Sequence, residues 1–238
     1  MKEIFRELNA TFQKRWSSKL VDFESERLNH VLKLIRPSDK VSFDLDGVLI
    51  DSAFPVVERA NKILNTNFTV DDIYGWYFIR DEAIKIGYPE KMAEKLNFEL
   101  WTDPFLLSIA KPIPGAIDFY RQVCKKSNHK IPLITVRNSG LTEVTENWVK
   151  KYLPEASDLI YMRKHDDDEG NEFKIRTLKE LEINFHFDDS SDIIGLIVKR
   201  LKKTKPIFIS YVPLDVEKPL DKRVFVVPSW EWSPERYS

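Results

Sequence analysis

Apolar residues recur along this chain at two different periods, and the places where one period gives way to the other mark the expected elements. Ile4, Leu8, Phe12, Trp16 and Leu20 follow one another every four positions among Lys, Arg and Glu, until Pro37 stops the pattern. Residues 1–39 are therefore expected as a helical extension laid on the outside of the main domain, with a dimer-forming surface as the alternative use. Val41 to Leu45 reads as a short buried strand ended by a turn at Asp46-Gly47. Between Ala53 and Ala110, "FPVVERANKIL", "RDEAIKIG" and "EKMAEKLNFELW" have helical spacing and strand signals are scarce. "KPIPGA", Lys111 to Ala116, then punctuates the chain with two prolines and a glycine.

Beyond that point the pattern alternates. A helix from Gly115 to Lys126 precedes a strand at "KIPLITV", a helix at "LTEVTENWVKKYL" and a strand at "DLIYM". A helix at "FKIRTLKEL", a strand at "INFHFDD", a helix at "SDIIGLIVKRL" and strands at "PIFISYV" and "RVFVV" complete the chain. Alternation at this length predicts an α/β fold: a Rossmann-like parallel sheet covered by helices on both faces. The core would comprise residues 40–52 and 111–238, with 53–110 inserted after the first strand as a small helical subdomain.

Composition narrows the class only a little. The 238 residues are 42% hydrophobic and 32% charged with a formal net charge of −1, which describes an ordinary globular protein. No global basic field advertises stable nucleic-acid binding. No apolar run approaches the ~18 residues that span a bilayer, so no membrane partner is expected. The N-terminus lacks the apolar centre of a signal peptide, and Cys124 is the only cysteine, which excludes an intrachain disulfide. Cys124 falls in phase with Ile117 and Tyr120, as a structural thiol would. A cytoplasmic setting is expected.

One stretch breaks the apolar pattern in a way that needs explaining. "VSFDLDGVLIDS" carries Asp44 and Asp46 at the end of its strand, where a buried unpaired charge is costly. Residues i and i+2 of a strand share a face, and the C-terminal ends of strands in open α/β sheets are where ligands bind. Two converging carboxylates call for a cation, and an oxygen-only site suits magnesium. More oxygen ligands are then expected at a second strand end, and "INFHFDDSSD" offers Asp188 and Asp189, with Asp192 a little further on. Read separately, each pair could be a helix cap or turn. Thr135, ending "KIPLITV", could hold phosphate oxygens with the backbone N–H groups that follow it, and Lys174 could reach in as a cation.

At these residues the chain resembles the haloacid dehalogenase superfamily of phosphotransferases, whose four motifs match "DLDGVLIDS", Thr135 in "LITVR", Lys174 and "DDSSD" in order. Within the superfamily it is most similar to the 5'(3')-deoxyribonucleotidases, through "WTDPFLLSIAKPIPGAIDFYRQV" and "VTENWVKKYLP". That group commonly has Thr-Ser-Pro where this chain has Thr135-Val136-Arg137. The segment from "VRNSGLTEV" to "LIYMR" also resembles the phosphatase domain of polynucleotide kinase-phosphatases. The resemblance implies that 53–110 is a cap and that the protein is a Mg²⁺-dependent phosphomonoester hydrolase.

It further implies Asp44 as nucleophile, forming an aspartyl-phosphate, and Asp46 as acid and base. Asp44, the Asp46 carbonyl, Asp188 and Asp189 would hold Mg²⁺; Lys174 and Thr135 would face the phosphate. Gly47, Val136 and Arg137 are expected to border the substrate. In the cap, Trp76, Tyr77, Phe78 and Arg80 are candidates for a base or other substrate group, against a reading in which these rings are the cap's own core. Trp101 has the same ambiguity. "KHDDDEGNE", Lys164 to Glu172, is expected as a solvated loop and His186 as a satisfied sheet residue; neither His165 nor His186 has zinc-ligand spacing. The expected partner is a small phosphorylated metabolite, a nucleoside monophosphate first. A polynucleotide 3' end, a sugar phosphate, phosphomutase chemistry and a non-enzymatic binding module are the alternatives.

Overall fold

The computed structural model describes residues 28–164, 169–209 and 221–227. The strands are β1 (Val41–Phe43), β2 (Ile50–Asp51), β3 (Lys111–Pro112), β4 (Leu133–Asn138), β5 (Ile160–Arg163), β6 (Phe185–Asp188), β7 (Lys205–Ile209) and β8 (Phe225–Val227). The helices are α1 (28–34), α2 (Ala53–Leu64), α3 (Phe78–Lys85), α4 (Glu90–Trp101), α5 (Pro104–Ile109), α6 (Ala116–Lys126), α7 (Thr142–Tyr152), α8 (Gly170–Glu180) and α9 (Ser191–Arg200).

Six strands form one parallel sheet in the order β5-β4-β1-β6-β7-β8. β1 is central, and every residue of it is buried, as expected of a parallel strand covered on both faces. The chain leaves β1 for β4 on one side and reaches β6 on the other. The crevice of an open sheet lies at such a reversal, so topology places it at the C-terminal ends of β1, β4 and β6.

Helices cover the two faces with separate apolar clusters. On one, α1, α6 and α7 supply Leu28, Val31, Phe119, Tyr120, Val123 and Trp148 against Phe43 and Phe187. Phe43 and Phe187 stack with ring centroids 4.2 Å apart, and Tyr120 meets Phe43 edge-on at 5.2 Å. On the other, α8 and α9 pack Phe173, Ile175, Leu178, Ile193 and Ile197 around Ile134. A third cluster, with Val56, Ala60, Phe78, Ile79 and Leu100, belongs to α2–α5.

Four local differences from the sequence reading have clear causes. β1 ends at Phe43, because the Leu45 carbonyl accepts the N–H groups of Val48, Leu49 and Ile50 and winds the chain into a tight turn. β4 runs on through Arg137 to Asn138, with a break in register between Thr135 and Asn138. α8 begins already at Gly170, inside the stretch expected as loop. β2 and β3 form a two-residue antiparallel ladder joining the two ends of the helical insertion, too short to leave a periodic trace. Residues 1–27, with the period-four pattern from Ile4 to Leu20, lie outside the described residues. Among the described residues no helix is long and apolar enough to cross a membrane.

The stacked pair at the centre of the sheet predicts a large penalty for truncation. Phe43→Ala is expected to cost about 3–5 kcal/mol, measured as a lower urea midpoint at unchanged slope.

Candidate active site

Asp44 follows β1 immediately, and its N–H is bonded to the Phe187 carbonyl at 2.9 Å, so the strand ladder fixes its position. Asp188 ends β6 and is fully buried. Between the two lies the Lys174 ammonium from α8, 3.0 Å from Asp44 Oδ2 and 2.8 Å from Asp188 Oδ2. The Ser190 N–H donates to Asp188 Oδ1 at 2.9 Å. Carboxylate oxygens of Asp44, Asp188 and Asp189 all lie within 4.8 Å of one another.

Charge within this group does not balance. Burial, with the facing Asp188 and Asp46 carboxylates, drives the Asp44 carboxyl above its ordinary range, against the pull of Lys174. Asp189 is raised well above its ordinary value by burial and by Asp188 and Asp44. Burial also acts to raise Asp188, but Lys174 and His186 overcome it and hold that group low. The ammonium is burial-disfavoured too, yet the two carboxylates keep it firmly protonated. Three carboxylates thus converge on one ammonium, too few cations for all three to be ionised comfortably.

The donor set fits a hard divalent cation. Every converging ligand is an oxygen, as Mg²⁺ requires. Asp44 Oδ1 is buried and has no hydrogen-bond partner, so one lone-pair face points at nothing in the protein. Asp189 is seated against the turn after β1: a Cβ added to Gly47 would fall 1.8 Å from its Oδ2. Gly47 also has φ +69°, a conformation that side chains disfavour. Its position in the motif thus has a packing reason as well as a turn reason. Asp192, exposed in the first turn of α9, is not part of the cluster.

Asp46 sits apart from these three. Its side chain is 34% exposed and is gripped by Arg137, with Nη2 at 2.6 Å from Oδ1 and Nε at 2.8 Å from Oδ2. Burial would raise this carboxyl, but the guanidinium prevails and keeps it ionised. Arg137 Nη1 donates to Thr145 Oγ1 of α7 at 3.0 Å, so the arginine is anchored on both sides. Expected beside the substrate, Arg137 in this conformation spends its guanidinium on Asp46 and Thr145. Thr135 is fully buried, its Oγ1 accepting the Arg137 N–H at 3.3 Å. The Val136 carbonyl accepts from Arg163 Nε at 2.7 Å, and Val136 packs against Gly170 at the start of α8. The C-terminal half of β4 is therefore tied to the helix that carries Lys174.

The aromatic stretch of the insertion divides. Phe78 is 1% exposed and packs edge-on against Phe68 and Tyr74, which makes it core and not a contact for substrate. Trp76 is 47% exposed and stacks on Trp101, and Tyr77 is 55% exposed with the Arg80 guanidinium over its ring. Arg80 also pairs with Asp81 at 2.8 Å. His165 lies outside the described residues. His186 is a bonded sheet residue, as expected, but its bond runs to Asp188 itself. Sequence reasoning placed His186 near the site without a role and missed Ser42, although both stand two residues before an aspartate of the cluster.

No family model matches the chain. A provisionally assigned nucleotidase of Bacillus cereus is 24% identical over 163 residues, covering 67% of this chain and 80% of that protein. A second, from Halalkalibacterium halodurans, is 26% identical over 160 residues, covering 66% and 73%. Among solved structures, a haloacid dehalogenase hydrolase of family IA, variant 3, from Entamoeba histolytica superposes with a TM-score of 0.51 at 18% identity, covering 81% of this chain and 93% of that one. The fold is that of the haloacid dehalogenase-like hydrolases.

Removing the central counter-charge has a pH signature. Without Lys174, two buried carboxylates face each other, and the folded state holds protons more tightly than the unfolded chain. Stability then falls as pH rises above the ordinary carboxylate value of 3.8. In metal-free buffer, the thermal midpoint of Lys174→Met is expected to trail wild type by more at pH 8 than at pH 5. Equal deficits at both pH values would show that Lys174 is not the counter-charge.

Proposed function

We propose that the protein is a Mg²⁺-dependent phosphomonoester hydrolase that acts on nucleoside monophosphates through an aspartyl-phosphate on Asp44. The observation that carries this reading is the unbalanced cluster at the ends of β1 and β6, with its unpartnered Asp44 Oδ1. Asp44, Asp188 and Asp189 would hold the cation, with the Asp46 carbonyl. When bound, Mg²⁺ neutralises the excess negative charge and polarises a phosphate oxygen.

Asp44 is the nucleophile because it is held by the strand ladder and aimed out of the sheet end. Its Oδ2 is engaged by Lys174, which leaves Oδ1 as the oxygen a cation would take. The new bond joins a carboxylate oxygen of Asp44 to phosphorus as the ester oxygen of the substrate leaves from the opposite side. Lys174 and the hydroxyl of Thr135 steady the phosphoryl oxygens.

Asp46 moves the proton in each half of the reaction. Ionised by Arg137, it suits the second half, taking a proton from the water that hydrolyses the aspartyl ester. For the first half it must reach the leaving alkoxide as an acid, which requires an oxygen to turn away from Arg137. Helices α2–α5 are the cap in this reading, and the exposed rings of Trp76 and Tyr77 are the surfaces offered to a base. The nucleotide preference rests on the names of the two bacterial relatives and on those rings.

A phosphate-release screen over mononucleotides, sugar phosphates and 3'-phosphorylated oligonucleotides tests both parts. Turnover of mononucleotides that disappears with EDTA and returns with Mg²⁺ is expected; activity confined to oligonucleotides would overturn the substrate assignment. Asp44→Asn should lose turnover by more than about 10³-fold while keeping the wild-type far-UV spectrum. Retained hydrolysis in that variant would remove Asp44 as nucleophile.

A further inference from the structure

A second polar rung lies directly beneath the reactive one. Ser42 and His186 are register partners across β1 and β6. Each stands two residues before a carboxylate of the cluster, Asp44 or Asp188, and the period of a strand puts all four on one sheet face. Ser42 and His186 are both fully buried, at positions where central parallel strands usually carry Val, Ile or Leu. The opposite face at the same level holds the stacked Phe43 and Phe187. A hydroxyl and an imidazole in such a place cost desolvation that an apolar pair would not.

The contacts show what the imidazole accomplishes. His186 Nε2 is 2.9 Å from Asp188 Oδ2, and its Nδ1 is 2.9 Å from Ser42 Oγ. A carboxylate oxygen only accepts, so Nε2 carries the proton, and Nδ1 takes the Ser42 hydroxyl. Lys174 donates to the same Oδ2, but it is shared with Asp44 and sits on a flexible stem. The histidine is fixed by the sheet.

We infer that His186, oriented by Ser42, is a positioning residue that sets the Asp188 carboxylate for a divalent cation without touching cation or substrate. The inference rests on the proposed reading of Asp44, Asp188 and Asp189 as a Mg²⁺ site. A ligand held in place before the cation arrives loses less freedom on binding it, and donors of this kind are worth ~10-fold or more in metal affinity.

Two isopolar substitutions separate the donor from the mere presence of a polar group. Gln at 186 carries an amide N–H to the place of Nε2, whereas Asn reaches only the place of Nδ1. The probe is Mn²⁺ alone, its free fraction counted from the EPR signal, with metal-free thermal melts recorded beside it. His186→Asn is expected to bind Mn²⁺ ~10-fold more weakly than wild type, and His186→Gln to stay close to wild type. Equal affinity of wild type and His186→Asn overturns the inference. Equal weakening of both variants overturns it too, since the loss would then follow disturbance of the core and not the missing donor. Should His186→Asn fail to fold, Ser42→Ala/His186→Phe replaces both partners with apolar groups, a change that is often nearly neutral for stability. The same weakening is expected there, and unchanged affinity overturns the inference. If wild type itself fails to bind Mn²⁺, the metal reading falls and this inference with it.

Discussion

The structure turns on one buried ammonium. Lys174 Nζ lies between Asp44 and Asp188 at the strand ends, holds the Asp188 carboxyl low and opposes the burial that raises Asp44. Burying such a group is itself unfavourable, and only the good geometry of both pairs offsets the desolvation. That requirement disciplines the surrounding chain. β1 and β6 must be neighbours in register, α8 must begin early enough to deliver Lys174, and the C-terminal half of β4 must pack against the start of α8. The contact between Val136 and Gly170 meets the last condition.

One lysine satisfies only part of the charge it faces. The remainder, expressed as raised Asp44 and Asp189 carboxyls and an unpartnered Asp44 oxygen, is what a divalent cation would complete. Asp46 adds to that repulsion but is itself held low by its own cation. Arg137 holds it from one side and is held in turn by Thr145, so two aspartates one residue apart live in different electrostatic surroundings. A division of labour between nucleophile and proton carrier is compatible with that separation, since different surroundings set different acidities.

Much of this was legible along the chain. The alternation after "KPIPGA" predicts the parallel sheet because buried strands and amphipathic helices leave different periods. The acidic residues at two strand ends predict a common site, since a carboxylate there needs a partner wherever the strands come to lie. Less legible were contacts made between elements far apart in sequence. Arg137 is expected to border the substrate from its position next to Thr135, whereas its reach to Asp46 leaves no trace in the sequence. Phe78 looked like its exposed neighbours Trp76 and Tyr77, since three consecutive aromatics carry no mark of which one turns inward. The β2–β3 ladder is shorter than any period can register.

Local pattern therefore determined which residues are strand, helix and turn, and which carboxylates stand at strand ends, because those properties follow from neighbours a few positions apart. The tertiary structure alone decided the pairings: Lys174 with two aspartates, Arg137 with Asp46, Ser42 with His186 beneath Asp188. Charge and hydrogen bonding act over a few ångströms in space whatever the separation in sequence. Which groups come within that range is settled only when the sheet closes, and in this sheet β1 draws Asp44 and Asp188 together from 144 positions apart, the same separation that spans Ser42 and His186.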